Sequence, residues 1–359
     1  MAVDREFNVA VIGATGVAGQ QFVEALRGHP WFKITAVAAS PRSAGKSLAD
    51  ALREPSGASR WYCDQPADDD VLRLTVQDAA DLDPESVDII FTAIESDAAK
   101  QLEPRLARHR PVFSTASAFR YEPDVPIIVP GVNLDHLDIV DAQRRNRDWK
   151  GFVVPLPNCT TVGLVVTLKP LSDAFGLRRV FMTSMQGLSG AGRTPGVPAM
   201  DVLDNIVPYI SGEEEKVAKE TGKILGSVTD GAFVPNDVPV SATCTRANVL
   251  EGHTEAVHVE LEKEASPDAV RAAFEEYGRE FCARGLPSAP ERLIQVHDDP
   301  YRPQPRLDRN AGGGMTTSVG RIRLDEQGLR YVLVSHNTKM GAAKGAVLAA
   351  EHMVEKGDL

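Results

Sequence analysis

The sequence predicts an α/β chain of two domains, the first a parallel sheet with helices on both faces, the second built on a half-covered sheet. Three observations predict it. The chain has 359 residues, more than the roughly 250–300 at which single hydrophobic cores stop growing. Apolar runs without alternation recur through the first half, as strands buried on both faces read. After about Asn158 the runs turn β-branched and partly alternating, as in an antiparallel sheet with one covered face.

The elements follow in order. NVAVIG (8–13) is a first strand, and VAGQQFVEALRGHP after it repeats Val17, Phe22, Val23 and Leu26 at helical spacing. ITAVAAS (34–40), VDIIFTAI (87–94), RPVFSTAS (110–117) and VPIIVPGVN (125–133) read as further strands. The polar stretch 49–80, with its DQPADDD, reads as an excursion from the sheet. VVPLP is an apolar strand closed by prolines. An apolar helix then begins near Thr160, with Asn158 as its cap. RRVFMTSMQ (178–186), VPVSATCTRANVL (238–250) and TEAVHVELE (254–262) are strand-like, whereas EEEKVAKETGKILG and SPDAVRAAFEEYGREFC are helical. GAAKGAVLAAEHMVEKG closes the chain as an Ala-rich helix.

Composition narrows the function. Hydrophobic residues at 43% and charged residues at 25% suit a soluble globular protein. The net charge of −11 argues against nucleic acid or a membrane surface as partner, since both are polyanions. A small anionic substrate, which responds to local charge, stays open. No apolar run approaches the roughly 18–20 residues of a membrane span, and the first strand begins too early for a leader. The expectation is a cytoplasmic protein. Cys63, Cys159, Cys244 and Cys282 lack paired spacing, so neither disulfides nor a metal site is expected.

VAVIGATGVAGQQF sets Gly13, Gly16 and Gly19 between a strand and a helix, with Thr15 and Val17 among them. Such glycines allow a tight turn and close approach of a pyrophosphate to a helix N-terminus. A glycine-rich turn of another α/β protein is the alternative. The second strand ends AASPRSAGK, where an NAD enzyme usually carries a carboxylate. Ser40, Arg42 and Ser43 stand there instead. Two hydroxyls and a guanidinium suit the 2′-phosphate of NADP, although a solvated loop with one arginine would read the same way.

Cys159, at a helix start, meets the positive end of the dipole, which favours thiolate; a buried structural cysteine is the alternative. Among eight histidines, His253 follows a strand-like run and a Glu-Gly turn, as a proton partner could. His29, His109, His136 and His352 read as surface residues. Arg246 could clamp a carboxylate with its planar fork. In GEEEK, Glu213 and Lys216 are three apart on one helix face, a pattern that a solvated helix start shares.

Together GATGVAGQ, AASPRSAGK, SAFRYEPDVPIIVPGVN, PNCTT, MQGLSGAG, GVPAMDVLDNIVPYISGEEEK, CTRANVLEGHTE, RPQPRLDRNAGGGM and HNTKMGAAKGAV resemble, in order, the aspartate-semialdehyde dehydrogenase family. The resemblance implies a Rossmann dinucleotide-binding domain (1–157 and 336–359) plus an α+β catalytic and dimerisation domain (158–335) with a mixed or antiparallel sheet. It implies NADPH-dependent reduction of L-aspartyl-4-phosphate to the semialdehyde through a Cys159 thioester, with His253 as general acid/base and Gln186 positioning the reacting group. By the same resemblance Arg246 would bind the substrate carboxylate, Glu213 its amino group, and Lys216 and Arg120 its phosphate. Asn337 and Gly341 would contact the cofactor, and the chain would form a homodimer or homotetramer.

Four positions differ from the family's usual pattern: Thr115 in place of Asn, Gly131 in place of Glu, and Lys339-Met340 in place of Ile-Arg. The rival readings are malonyl-CoA reductase, N-acetylglutamyl-phosphate reductase and a non-catalytic NADP-binding redox sensor. GEEEK would have little to do with a CoA thioester that lacks an amino group. A sensor would leave Cys159, Gln186 and His253 without shared purpose.

Overall fold

A computed structural model describes residues 5–192, 199–229 and 231–359. Residues 196–198, which open one of the resembling motifs, lie outside these. The chain divides into two compact units: Met1–Ile127, Leu137–Leu156 and Ala342–Leu359 form the first, and Ile128–His136 with Pro157–Gly341 the second.

The first unit is built on strands β1 (Phe7–Ile12), β2 (Phe32–Ala39), β3 (Val76–Asp78), β4 (Ile89–Thr92), β5 (Val112–Ser114) and β6 (Val153–Pro155). They lie in the order β3-β2-β1-β4-β5-β6, every pair parallel. That is the doubly wound order, which reverses between β1 and β4. The non-alternating runs have the expected cause: Val9, Val11, Ile12, Ile89, Ile90 and Phe91 are all fully buried. The C-terminal helix Ala343–Lys356 packs on the helix Val17–Ala25 in this unit.

Three expectations need correction here. The polar excursion supplies β3, an edge strand whose only fully buried residue is Val76; three residues are too few for a period to show. Residues 125–130 form no strand. Pro126 and Pro130 cannot donate to a ladder, and Val125, Ile127 and Ile128 are nonetheless fully buried. His29 is not a surface residue: its ring stacks on Phe32 and meets Glu351 at 2.9 Å, with side-chain exposures of 3% and 0%.

The second unit carries β7 (Leu177–Gln186), β8 (Ile206–Val207), β9 (Ser227–Thr229), β10 (Ala232–Val234), β11 (Val240–Ala247), β12 (His253–Leu261), β13 (Ile294–Val296), β14 (Thr317–Asp325) and β15 (Gly328–Ser335). Seven make one sheet in the order β13-β14-β15-β12-β7-β11-β8, while β9 and β10 form a separate ribbon. The sheet is mixed, because β11 runs parallel to β7, and β13 to β14. One face is covered by the helix Cys159–Phe175, whose Leu164, Val165, Leu168 and Leu171 are fully buried. Along β12, His253, Glu255, Val257 and Val259 turn inward while Ala256 is exposed. That alternation is the pattern of a half-covered sheet.

The helical stretch after Ser266 is two helices, Pro267–Glu276 and Arg279–Ala283. Tyr277 leaves helical geometry and Gly278 takes φ +75°. His136, expected at the surface, is buried between Asn133 (3.0 Å) and the Gly226 carbonyl (3.2 Å).

Candidate active site

The strand directions of the mixed sheet bring one set of side chains together. Parallel β7 and β11 finish side by side, with Gln186 opposite Arg246. Antiparallel β12 starts at that same end with His253, which is opposite Ser335 at the close of β15. Above them the helix Cys159–Phe175 begins.

Asn158 fixes that beginning at every polar atom. Its side-chain oxygen caps the Thr160 N–H at 2.9 Å, and its amide donates to both oxygens of Glu213, at 2.9 and 2.8 Å. Its backbone N–H donates to Glu220 at 2.6 Å. Glu213 and Glu220 lie seven apart on the helix Glu213–Ile224, two turns along one face. Both are buried. Lys216 reaches Glu213 at 3.4 Å, and Gln186 donates to Glu213 at 3.4 Å and to Ser184 at 3.2 Å.

Cys159 Sγ stands 3.2 Å from His253 Nε2. The other ring nitrogen, Nδ1, accepts the backbone N–H of Gly187 at 3.1 Å. An N–H can only donate, so Nδ1 carries a lone pair and the neutral ring keeps its hydrogen on Nε2, facing the sulfur. Burial, with Arg246 nearby, pushes the His253 pKa down to about 3. The ring is therefore neutral at physiological pH. Arg246 is buried and spends one of its N–H groups on the Gly187 carbonyl at 2.7 Å, and burial lowers its pKa too.

Asn337 lies in the loop after β15. Its oxygen accepts the Gly252 N–H at 2.9 Å, and its nitrogen donates to Ser189 at 2.8 Å. Gly341 follows on a close approach. A Cβ there would lie 2.6 Å from the Asn337 carbonyl oxygen and 3.0 Å from the Cys159 Cβ, so only glycine leaves the thiol its place.

Within the first unit the glycine loop has its own geometry. Gly13 sits at φ +85°, and a Cβ there would meet the Ala93 carbonyl oxygen at 2.2 Å; one at Gly19 would meet the Gly13 oxygen at 2.0 Å. Gly16, exposed, is the N-cap of the helix Val17–Ala25, which has no acidic residue in its first turn. Thr15 is held by its carbonyl, which accepts from Gln20 at 3.1 Å. At the end of β2, Ser40 and Arg42 are exposed and Ser43 is half-buried. Arg120 is buried and donates to the Thr115 carbonyl at 3.0 Å.

The structure thus gathers Cys159, His253, Gln186, Arg246, Glu213, Lys216, Asn337 and Gly341 in the second unit. Gly13, Thr15, Gly16, Val17, Gly19, Ser40, Arg42, Ser43 and Arg120 belong to the first. Sequence reasoning missed Gly187, Ser189 and Glu220. Glu220 had a signal, since it falls two turns after Glu213 in an acidic helix. Gly187 acts through its backbone, which no side-chain pattern announces.

Residues 8–140 match the model of the semialdehyde dehydrogenase NAD binding domain, and residues 168–340 that of the semialdehyde dehydrogenase dimerisation domain. An aspartate-semialdehyde dehydrogenase of Methanothermobacter thermautotrophicus is 46% identical, covering 96% of this chain and 98% of that one. The chain belongs to the aspartate-semialdehyde dehydrogenase family. An Archaeoglobus fulgidus member of the family is 45% identical, with 98% of each chain covered. The crystal structure of the Candida albicans aspartate-semialdehyde dehydrogenase with NADP has a TM-score of 0.87 at 38% identity, covering 99% of this chain and 100% of that one. That of aspartate-semialdehyde dehydrogenase II of Vibrio cholerae, complexed with ASA, has a TM-score of 0.76 at 27% identity, covering 98% and 99%. The fold expected from sequence, a parallel dinucleotide-binding sheet with a second, mixed-sheet domain, is the fold of this family.

Proposed function

We propose that the chain is an NADP-dependent aspartate-semialdehyde dehydrogenase that reduces L-aspartyl-4-phosphate to L-aspartate 4-semialdehyde through a thioester on Cys159. The observation that carries the chemistry is the 3.2 Å approach of Cys159 Sγ to His253 Nε2 at a helix N-terminus. Family membership, and the NADP in the Candida albicans relative, support the substrate and the cofactor.

The residues of the first unit fit a nucleotide. Gly13 and Gly19 make a cradle that a Cβ would fill, the helix behind it presents N–H groups with no competing acid in its first turn, and Arg42 suits a 2′-phosphate. NADPH, when bound, supplies the hydride. The first unit then serves the cofactor and the second the chemistry.

In the second unit the sulfur attacks the acyl carbon; the C–S bond forms as the C–O bond to phosphate breaks, and the phosphate leaves carrying the one proton that the sum requires. Reduction of the thioester carbon places negative charge on its oxygen. Re-forming the C=O then breaks the C–S bond and returns the thiolate. His253, neutral with its hydrogen at Nε2, offers a hydrogen bond first to the thiolate and then to the oxyanion, while the proton that the sum requires comes from solvent. Gln186 and Asn158 hold the Glu213 carboxylate in place for the substrate amino group. Arg246 offers its fork to the α-carboxylate, and Lys216 supplies charge for phosphate. A dimer through the second unit follows the matched dimerisation domain.

The assay runs in reverse, with aspartate semialdehyde, phosphate and NADP. Phosphate-dependent NADPH formation is expected, abolished by Cys159→Ala and lowered about 100-fold or more by His253→Ala. Reduction of malonyl-CoA with no reaction of the semialdehyde would overturn the substrate. Equal turnover with NAD would overturn the cofactor assignment of Ser40, Arg42 and Ser43.

A further inference from the structure

We propose that Asn337 is a positioning residue for His253, setting which nitrogen of that ring carries the proton. Its carboxamide is committed to protein at both ends, to Gly252 N–H (2.9 Å) and to Ser189 Oγ (2.8 Å), and is buried. Each of these two partners lies within two residues of a group that fixes the ring. Gly252 immediately precedes His253, while Ser189 follows Gly187, whose N–H occupies Nδ1. The two loops are also joined by backbone bonds, Leu188 N–H to the Val249 carbonyl at 2.8 Å and Ser189 N–H to the Leu250 carbonyl at 3.0 Å. One side chain therefore pins the end of β7 to the start of β12.

The consequence is chemical. While Gly187 N–H stays against Nδ1, the neutral ring can only present Nε2–H to Cys159, as donor to a thiolate. If the clamp loosens, the Nδ1–H tautomer becomes accessible, and the sulfur loses a fixed donor. The titratable and charged groups about the ring are Cys159 on its helix, Arg246 on β11 and His336 after β15. Glu255, inward on β12, and Glu251, just before Gly252, lie on the neighbouring turns of chain. None of these replaces the Gly187 bond.

The proposal rests on Cys159 and His253 as the reacting pair, but its main readout needs no substrate. The rate of Cys159 alkylation by iodoacetamide is followed against pH by peptide mass spectrometry, in wild type, Asn337→Ala and Ser189→Ala. NADPH affinity is measured separately by fluorescence quenching. For Asn337→Ala the alkylation profile is expected to move up by about one pH unit, with kcat falling tenfold or more and the NADPH Kd changing less than threefold. Ser189→Ala, which removes only the acceptor, moves the profile the same way by less, and decides the matter if Asn337→Ala fails to fold. An unmoved profile in the folded variants overturns the proposal, as does a tenfold loss of NADPH affinity without a profile shift. Wild-type protein inert toward the semialdehyde would instead count against the activity, leaving the alkylation result to judge the clamp.

Discussion

Glu103 shows at a single residue how a buried charge can be placed and what it costs. Both the Thr92 and Ser114 hydroxyls donate to its Oε1 at 2.6 Å, bracing the ends of β4 and β5. Burial outweighs these bonds and raises its pKa from 4.5 to about 7. A carboxyl raised on folding holds its proton in the folded state; its contribution is whole below about pH 4.5 and is lost as the pH climbs through 7. The loss is at most about 3 kcal/mol. Glu103→Gln keeps the acceptor and cannot ionise, so its Tm relative to wild type should be more favourable at pH 8.5 than at pH 5. An unchanged difference would show that Glu103 ionises freely in the fold. Residues of this kind were not legible in the sequence, whereas Cys159 and Asn158 were, because a cap and a thiol at a helix start are local features. His253 and Arg246 were nameable as single candidates and Gln186 only through the resemblance, since what unites the three is strand direction and not spacing.

Among the elements, the helix Glu213–Ile224 carries the most for its length. Its Glu213 and Glu220 hold Asn158, the residue before Cys159, from two turns of one face. Glu220→Ala leaves the buried Asn158 N–H without that carboxylate, which costs about 1–3 kcal/mol. A fall in the urea midpoint together with reduced kcat is expected, with Glu220→Gln near wild type because its carbonyl still accepts. Wild-type stability in the alanine variant would mean the helix start holds itself. Long buried strands were legible as apolar runs, and helices as 3.6-residue periods. The hairpin of β14 and β15 was not, because β14 turns from buried to alternating within its own nine residues. Residues 125–130 misled for the opposite reason: their apolar character reflects burial, while two prolines forbid the ladder.

At the scale of the molecule, acid stability sums many sites. His136, His253, His297 and His336 all titrate below the ordinary 6.5, chiefly through burial. Each binds fewer protons folded than unfolded, so each costs stability as the pH falls below about 6.5. Glu103 and Glu255, raised by burial, act the other way, but only above their unfolded value of 4.5. Below it they add nothing further. Asp124 and Asp308 are buried, yet their pairs with Arg147 and Arg302 outweigh that and hold them below 3.8, so they too lose stability there. The urea midpoint should therefore drop more between pH 5.5 and 4.0 than between 7.5 and 5.5. The reverse order would rule out neutral buried histidines as the controlling groups. The two-domain plan was legible from length and the change in strand pattern; the parallel β7–β11 pairing that assembles the site was not, because it joins strands with more than fifty residues between them. That pairing has a consequence for synthesis. Cys159 meets His253 across 94 residues, and Ser189 meets Asn337 across 148. Contacts so distant in sequence close late. A growing chain thus displays its thiol long before the imidazole emerges, and the imidazole before the amide that clamps it. Until β15 and its loop have paired in, Asn337 has neither Gly252 nor Ser189 in reach, and under the proposed activity the Cys159–His253 pair is completed only then.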